Sequence, residues 1–148
     1  MLIKLAKIGD AQEILALQKL AYLSEAAIYD DYSIPPLTQT LDEIEVDFTT
    51  QEYLKAVMNE VIIGSVRGYL DAGTCFVGRL IVHPDFQNQG IGTQLMRTIE
   101  NHFNTAQRFE IFTGEMSERN LYLYQKLGYR KFQTKQLTEK VRLHFLEK

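Results

Sequence analysis

The period of the apolar positions changes several times along the chain, and each change marks an element. From Ala11 to Leu23 the residues Ile14, Leu17, Leu20 and Ala21 recur at helical spacing, and Asp10 stands where an N-cap would. Residues 2–6 read as a short strand ahead of that helix. Asp30, Asp31, Ser33, Pro35 and Pro36 break the pattern and predict a loop over 30–40. Thr40-Leu41-Asp42-Glu43 has the spacing of a capping box, so a second, short helix starts there and stops near Thr49 and Thr50. The pattern then turns strand-like over Tyr53–Met58, Val61–Leu70 and Thr74–Val82, with turns at Asn59-Glu60 and Asp71-Ala72-Gly73. Pro84 stops the third strand, because proline has no N–H for a ladder. Ile91, Leu95, Ile99 and Phe103 form an unbroken i, i+4 stripe, which predicts an amphipathic helix from about Gly90 to Phe103. A strand over 108–113 follows. Ser117 can cap a further helix to Leu127, closed by Gly128, and strands over 129–133 and 140–146 end the chain.

Hairpin-linked middle strands imply antiparallel pairing, and the crossover from residue 77 to 113 implies one parallel pair in the same sheet. The fold class is therefore α/β, in the α+β sense of a mixed, mostly antiparallel sheet with helices on both faces. A length of 148 residues fits one domain, 1–148, with a core large enough to fold without disulfides. A net charge of -3 with no basic run excludes nucleic acid as a natural partner. No apolar stretch approaches a membrane span, and Lys4 and Lys7 interrupt the N-terminal apolar residues, so neither a membrane segment nor a signal peptide is expected. The one cysteine, Cys75, lies in an apolar strand and is read as a buried thiol rather than a nucleophile, which suits a reducing cytoplasm.

The chemistry gathers between the third strand and the amphipathic helix, in Val82-His83-Pro84-Asp85-Phe86-Gln87-Asn88-Gln89-Gly90-Ile91-Gly92-Thr93. Amides at a helix start lack internal partners and carry partial positive charge, and glycines let an anion approach them. No Gly-Lys pair exists for a P-loop. A dinucleotide fingerprint would need a third glycine where Leu95 stands, and it would open a βαβ unit rather than follow hairpins, so an NAD-dependent oxidoreductase is disfavoured. What remains is Q-x-x-G-x-G, at Gln87, Gly90 and Gly92.

This stretch resembles the central motif of the GNAT superfamily of acyl-CoA-dependent N-acetyltransferases, V-x-P followed by [QR]-x-x-G-x-[GA]. Asn120-Leu121-Tyr122-Leu123-Tyr124-Gln125-Lys126-Leu127-Gly128-Tyr129 is similar to that family's downstream N-x-x-x-Y-x-x-x-G-[FY], and the order of elements fits over nearly the whole chain. The resemblance implies acetyl-CoA as co-substrate, no metal, and a sheet whose strands at 77–82 and 108–113 splay apart to admit the cofactor. It implies that the backbone of Leu80, Ile81 and Val82 bonds the pantetheine arm and that amides of Asn88, Gln89, Gly90, Ile91, Gly92 and Thr93 hold the pyrophosphate, with Gln87 beside them. Family members often carry arginine at or near the position of Gln87, whereas this loop has no cation. Asn120 would contact the cofactor. Tyr124, four residues on and so on the same helix face, would be the general acid. A phenol with a pKa of about 10 keeps its proton at neutral pH and can give it to a departing thiolate.

The acceptor would be a small-molecule or peptide amine, which must lose a proton before it attacks. Glu115 is the candidate base, with a solvated loop charge as its alternative. Glu43 reads better as a cap and His83 as strand-end structure, and a water chain would also serve. Residues 22–47 should build the acceptor pocket, with Tyr22 and Tyr32 beside acids such as Glu25 suiting a cationic amine. Arg67 would instead suit a substrate carboxylate. A non-catalytic acyl-CoA sensor on the same fold is the competing reading, though a sensor has no use for a phenol at the sulfur. Dimers are common among similar proteins, so a homodimer is a state the resemblance allows.

Overall fold

Each stretch rich in Val, Ile, Tyr and Phe forms a strand, and the order in which those strands pair decides where the site lies. The computed structural model describes all residues, Met1–Lys148. Its strands are β1 (Leu2–Leu5), β2 (Glu52–Met58), β3 (Val61–Asp71), β4 (Thr74–Val82), β5 (Arg108–Gly114), β6 (Arg130–Gln136) and β7 (Arg142–Glu147). The helices are α1 (Ala11–Ala21), α2 (Leu23–Tyr29), α3 (Pro35–Thr38), α4 (Leu41–Thr50), α5 (Ile91–His102) and α6 (Glu118–Lys126). One seven-stranded sheet runs β1-β2-β3-β4-β5-β7-β6. Every neighbouring pair is antiparallel except β4 with β5.

Two-residue turns with both φ positive, Asn59-Glu60 and Ala72-Gly73, tie β2 to β3 and β3 to β4 with the twist hairpins need. In β4 the register against β3 jumps from Arg67↔Gly78 to Ser65↔Ile81, so β4 holds one extra residue. That residue is Arg79, at φ 48°. A bulge of this kind bends the strand. The parallel ladder to β5 survives only at Thr74–Phe76 against Arg108–Glu110. From there β5 pairs only with β7, and the two parallel strands part. The splayed pair expected between 77–82 and 108–113 is therefore present.

The two faces carry separate cores. The stripe of α5, with Ile91, Leu95, Met96, Ile99 and Phe103 buried, packs with Leu54, Ile63, Val66, Cys75 and Val77. Each such side chain contributes about 1.5–3 kcal/mol through burial. On the other face Ile14, Leu17 and Ile44 of α1 and α4 cover Tyr53, Ile62 and Ile81. Cys75 is a buried strand thiol as expected, and burial pushes it up to about 12.

Three local expectations need correction. The 30–40 loop contains α3, because Pro35 and Pro36 occupy the first helical positions, where a missing N–H costs nothing. The first helix does not stop at Leu23: it breaks at Tyr22 and resumes as α2, which ends on Asp30 at φ 50°. Asp10 sits at the start of α1 but gives its side chain no capping bond there; its carboxylate accepts instead from Lys7 N–H and pairs with Lys55, each at 2.8 Å. The capping box at Thr40 and Glu43 forms as read.

Candidate functional site

The fork between β4 and β5 opens onto a cleft of about 670 Å³, walled by the end of β4, the loop before α5, the α1–α2 junction and α6. Its β4 wall, from Leu80 to Val82, has no strand partner on the β5 side. A strand edge of this kind offers backbone donors and acceptors to any extended ligand.

The loop at the mouth of α5 is set by two left-handed residues, Asn88 at φ 62° and Gly90 at φ 81°. Asparagine and glycine are the residues that take this conformation at least cost. Gly90 stands at the N-cap with no side chain to close the helix end. The first amide engaged by the backbone is that of Gln94, which donates to Gly90 O at 3.0 Å. Amides from Gln87 to Thr93 make no hydrogen bond within the protein. Successive free N–H groups at the positive end of a helix dipole form a seat for a phosphate-sized anion.

The loop itself has no cation, as its sequence states, but the fold supplies two. Arg119 of α6 hydrogen-bonds the Gln87 side-chain oxygen, and both Arg119 and Lys126 line the cleft. Gln87 Nε2 reaches back to Val82 O at 3.5 Å, so this side chain links the strand end to α6. Sequence reasoning missed Arg119 because it searched the loop for charge, and Arg119 lies 32 residues downstream of Gln87. The only signal was its place one residue before Asn120.

Asn120 and Tyr124 share the inner face of α6. Asn120 Nδ2 donates to Thr113 Oγ1 at 3.2 Å and to Glu25 Oε1 at 3.4 Å. Tyr124 is 3% exposed, does not itself line the cleft, and meets Tyr129 edge-on at 6.1 Å between centroids. Burial drives its phenol upward, with Tyr22 and Glu25 adding to the shift. Tyr129 donates its hydroxyl to Glu100 at 2.7 Å, whereas the Tyr124 hydroxyl has no such partner and keeps its proton free to donate. Gly128, at φ 100°, closes α6 as expected: Tyr129 N–H returns to Tyr124 O and Gly128 N–H to Gln125 O, both at 3.0 Å.

Ser117 stands at the N-cap of α6 without capping it. Its hydroxyl donates to Glu25 Oε2 at 2.5 Å and lies 2.8 Å from the hydroxyl of Tyr29. Glu25 thus reaches the cleft between Asn120 and Ser117, held by both. Glu115 does not reach it. Its carboxylate lies in a separate pocket, 3.7 Å from Arg142 Nε. Glu115 N–H donates to Arg142 O at 2.8 Å, which holds this residue against β7 rather than at the cleft.

Tyr22 lines the cleft, and burial raises its phenol, opposed by Arg79. Tyr32 is 57% exposed and lies away from the cleft wall. Arg67 is already engaged, at 2.7 Å from Asp47 and 3.1 Å from Tyr53 Oη, which leaves little charge for a substrate carboxylate. Burial and the like charge of Arg67 depress Arg79, whose Nη1 donates to Gln39 Oε1 at 3.1 Å. His83 serves the strand end: its Nδ1 accepts from Asp85 N–H at 3.1 Å. No group of three or more His, Cys, Asp or Glu side chains is placed to hold a metal ion.

A family model described as the acetyltransferase (GNAT) domain matches residues 50–131, more than half of the chain. The chain belongs to the GNAT acetyltransferase family. The matched segment holds the fork, the anion seat and the Asn120–Tyr124 face. Beyond it, the UPF0157 protein YqkA of Bacillus subtilis (strain 168) is 30% identical over 124 residues, which is 84% of this chain and 36% of that protein. The chain thus spans little more than a third of that relative's length. Among solved structures, smu.2055 from Streptococcus mutans UA159 superimposes with a TM-score of 0.84 at 19% identity, covering 100% of this GNAT chain and 98% of its own. An aminoglycoside 6'-N-acetyltransferase complexed with coenzyme A gives a TM-score of 0.79 at 14% identity, covering 100% and 96%. At such identities the likeness is one of fold.

Proposed function

We propose that residues 1–148 form one catalytic domain that moves an acetyl group from acetyl-CoA to a primary amine. The observation that carries this reading is the run of unengaged amides from Gln87 to Thr93, next to an unpaired β4 edge. The two features suit the two ends of coenzyme A. The diphosphate fits the amides of Asn88, Gln89, Gly90, Ile91, Gly92 and Thr93, with Gln87, Arg119 and Lys126 beside them. The pantetheine arm fits the backbone of Leu80, Ile81 and Val82, much as an added strand would. Asn120 and Tyr124 then face the thioester end. A solved structural neighbour that acetylates aminoglycosides and holds coenzyme A supports the same assignment.

Acetyl-CoA supplies an acyl thioester, and the rest falls to the chain. Tyr124 keeps its proton at neutral pH, because burial holds the phenol above its ordinary value, and gives it to the departing thiolate. Glu25, rather than Glu115, takes the proton from the acceptor amine, since Glu25 lines the cleft and Glu115 does not. A carboxylate beside the Tyr22 ring also suits a cationic acceptor, as a small molecule or a peptide end would present. The single buried thiol fits a cytoplasmic setting. In the structure, no helix is long and apolar enough to cross a membrane.

The test is a panel of amines with acetyl-CoA, following thiol release. Wild type is expected to turn over at least one amine. Tyr124→Phe should slow kcat by about a hundredfold or more while leaving coenzyme A affinity near normal. Coenzyme A binding without thiol release from any amine would make the domain a sensor. Unchanged turnover in Tyr124→Phe would remove that phenol from the reaction.

A further inference from the structure

We infer that the proton taken by Glu25 leaves the protein through two buried hydroxyls, Ser117 and Tyr29, into a second pocket separate from the cleft. The inference rests on the acetyl-transfer reading and extends it from the reacting atoms to the route by which the base is reset.

The path is continuous in hydrogen-bonding distance. Glu25 Oε2 lies 2.5 Å from Ser117 Oγ, and Ser117 Oγ lies 2.8 Å from Tyr29 Oη. Ser117 is 1% exposed and Tyr29 7%. Beyond Tyr29 lies a pocket of about 270 Å³, walled by Tyr29, Glu115, Met116, Gln136, Lys140 and Arg142. Of the two carboxylates, Glu25 faces the cleft and Glu115 faces this outlet.

Three details set the chain apart from ordinary packing. Ser117 occupies the N-cap position of α6, where a serine hydroxyl normally stabilises the helix by accepting from its own amides. It makes no such bond and turns to Glu25 instead. Gly114 ends β5 directly beside Tyr29, and a Cβ there would stand 1.8 Å from the Tyr29 hydroxyl. Backbone is cleared there for the end of the Tyr29 ring together with its hydroxyl, since the same Cβ would stand 2.4 Å from Tyr29 Cζ. Met116 N–H donates to Tyr29 Oη at 3.0 Å, which fixes the hydroxyl between Ser117 and the outlet.

The route answers a need of the cycle. With both reactants seated, the cleft side of Glu25 is covered, and a carboxylic acid left protonated cannot accept the next proton. In the transfer, one N–H bond of the acceptor ammonium breaks before attack and a Glu25 O–H bond forms, while the second N–H proton, lost as the tetrahedral intermediate collapses, replaces the one Tyr124 gives the thiolate. Glu25 then donates to Ser117 Oγ, Ser117 donates its own proton to Tyr29 Oη, and Tyr29 releases its proton to water or to the Glu115 carboxylate in the outlet. Each hydroxyl gains one proton and loses one, so neither is left charged.

Buffer rescue separates a relay from a mere brace. kcat is measured at saturating acetyl-CoA, with the best amine of the panel, at fixed pH and ionic strength, across a range of imidazole concentrations. Wild type should not respond to imidazole. Ser117→Ala should lose roughly tenfold in kcat at low buffer and recover as imidazole rises. Ser117→Thr, which keeps the hydroxyl, should behave as wild type, and Tyr29→Phe should repeat the alanine pattern. Thermal melting checks that each variant is folded, and a variant that fails leaves the other to decide. An active wild type with unchanged variants, or with slow variants deaf to imidazole, would overturn the relay alone. A wild type that releases thiol with none of the amines in the panel would overturn the acetyl-transfer reading, and the relay with it.

Discussion

Helix α4 closes its own N-terminus, and helix α5 leaves its N-terminus open. At α4, Thr40 Oγ1 accepts from Glu43 N–H at 3.2 Å, and Glu43 Oε1 accepts from Thr40 N–H at 2.9 Å. At α5 the corresponding position is Gly90, whose left-handed backbone turns the preceding loop without offering an oxygen. A cap of the α4 kind contributes about 1 kcal/mol. The same chain therefore has the means to cap a helix, and does so at α4. At α5 that stabilisation is absent, and the amides of Gln87 to Thr93 stay unpaired in a loop that, Gln89 apart, lines the cleft. An open helix end beside a strand edge without a partner leaves hydrogen-bonding groups that a ligand can complete.

The largest expected effect comes from closing the difference at α5. A Cβ at Gly90 would meet nothing within 4 Å, so the damage from Gly90→Val is conformational rather than steric. A β-branched residue at φ 81° is a strained outlier costing about 1–2 kcal/mol, which the loop relieves by turning its amides away. Coenzyme A affinity, by calorimetry, should fall about ten- to a hundredfold, equivalent to about 1.4–2.8 kcal/mol. Wild-type affinity in this variant would take the anion seat out of the site.

The matching change at α4 should move stability and nothing else. Thr40→Ala removes one half of the capping box and should cost about 1 kcal/mol in chemical denaturation. Coenzyme A affinity and kcat should stay where they are, because Thr40 lies outside the cleft wall. A loss of affinity here would mean that α4 reports on the site through Asp47 and Arg67, and that the two helix ends are not independent.

Much of this contrast could be read from residue order. The i, i+4 stripe gave α5, the Thr40–Glu43 spacing gave the capping box, and the glycine pair gave the open helix end, because each depends on neighbours only a few positions apart. The parallel pair followed from the crossover rule, and the resemblance supplied its splay. What stayed hidden depends on contacts between distant segments. Asp10 and Ser117 both look like N-caps, yet Lys55 takes the first and Glu25 the second, 45 and 92 residues away. Glu115 looked suited to act as base until its pairing with Arg142 of β7 placed it in the other pocket. Arg67 looked free until α4 brought Asp47 to within 2.7 Å. Tertiary competition for one polar side chain leaves no local trace, so site residues read from spacing alone were the least secure.

The smallest effect should come from the second glycine of the loop, and it sharpens what the pair does. Gly92 lies in the first turn of α5, outside the left-handed region. A Cβ there would sit 3.4 Å from Leu123 Cδ2 and 3.8 Å from Leu80 Cδ2, which is ordinary contact. Gly92→Ala should therefore fit, and it replaces a poor helix former with the best one. The gain is below the full ~1 kcal/mol of a helix interior, about half of it at a helix start. The amide of residue 92 keeps its direction, so coenzyme A affinity should stay within about twofold while the melting temperature rises. Gly90 would then act by conformation alone, and the seat would depend on the direction of its amides. If Gly92→Ala instead weakens coenzyme A as much as Gly90→Val does, the diphosphate passes directly over the Cα of residue 92. In that case the glycines serve the site by clearance, and the comparison with α4 would concern space rather than unsatisfied amides.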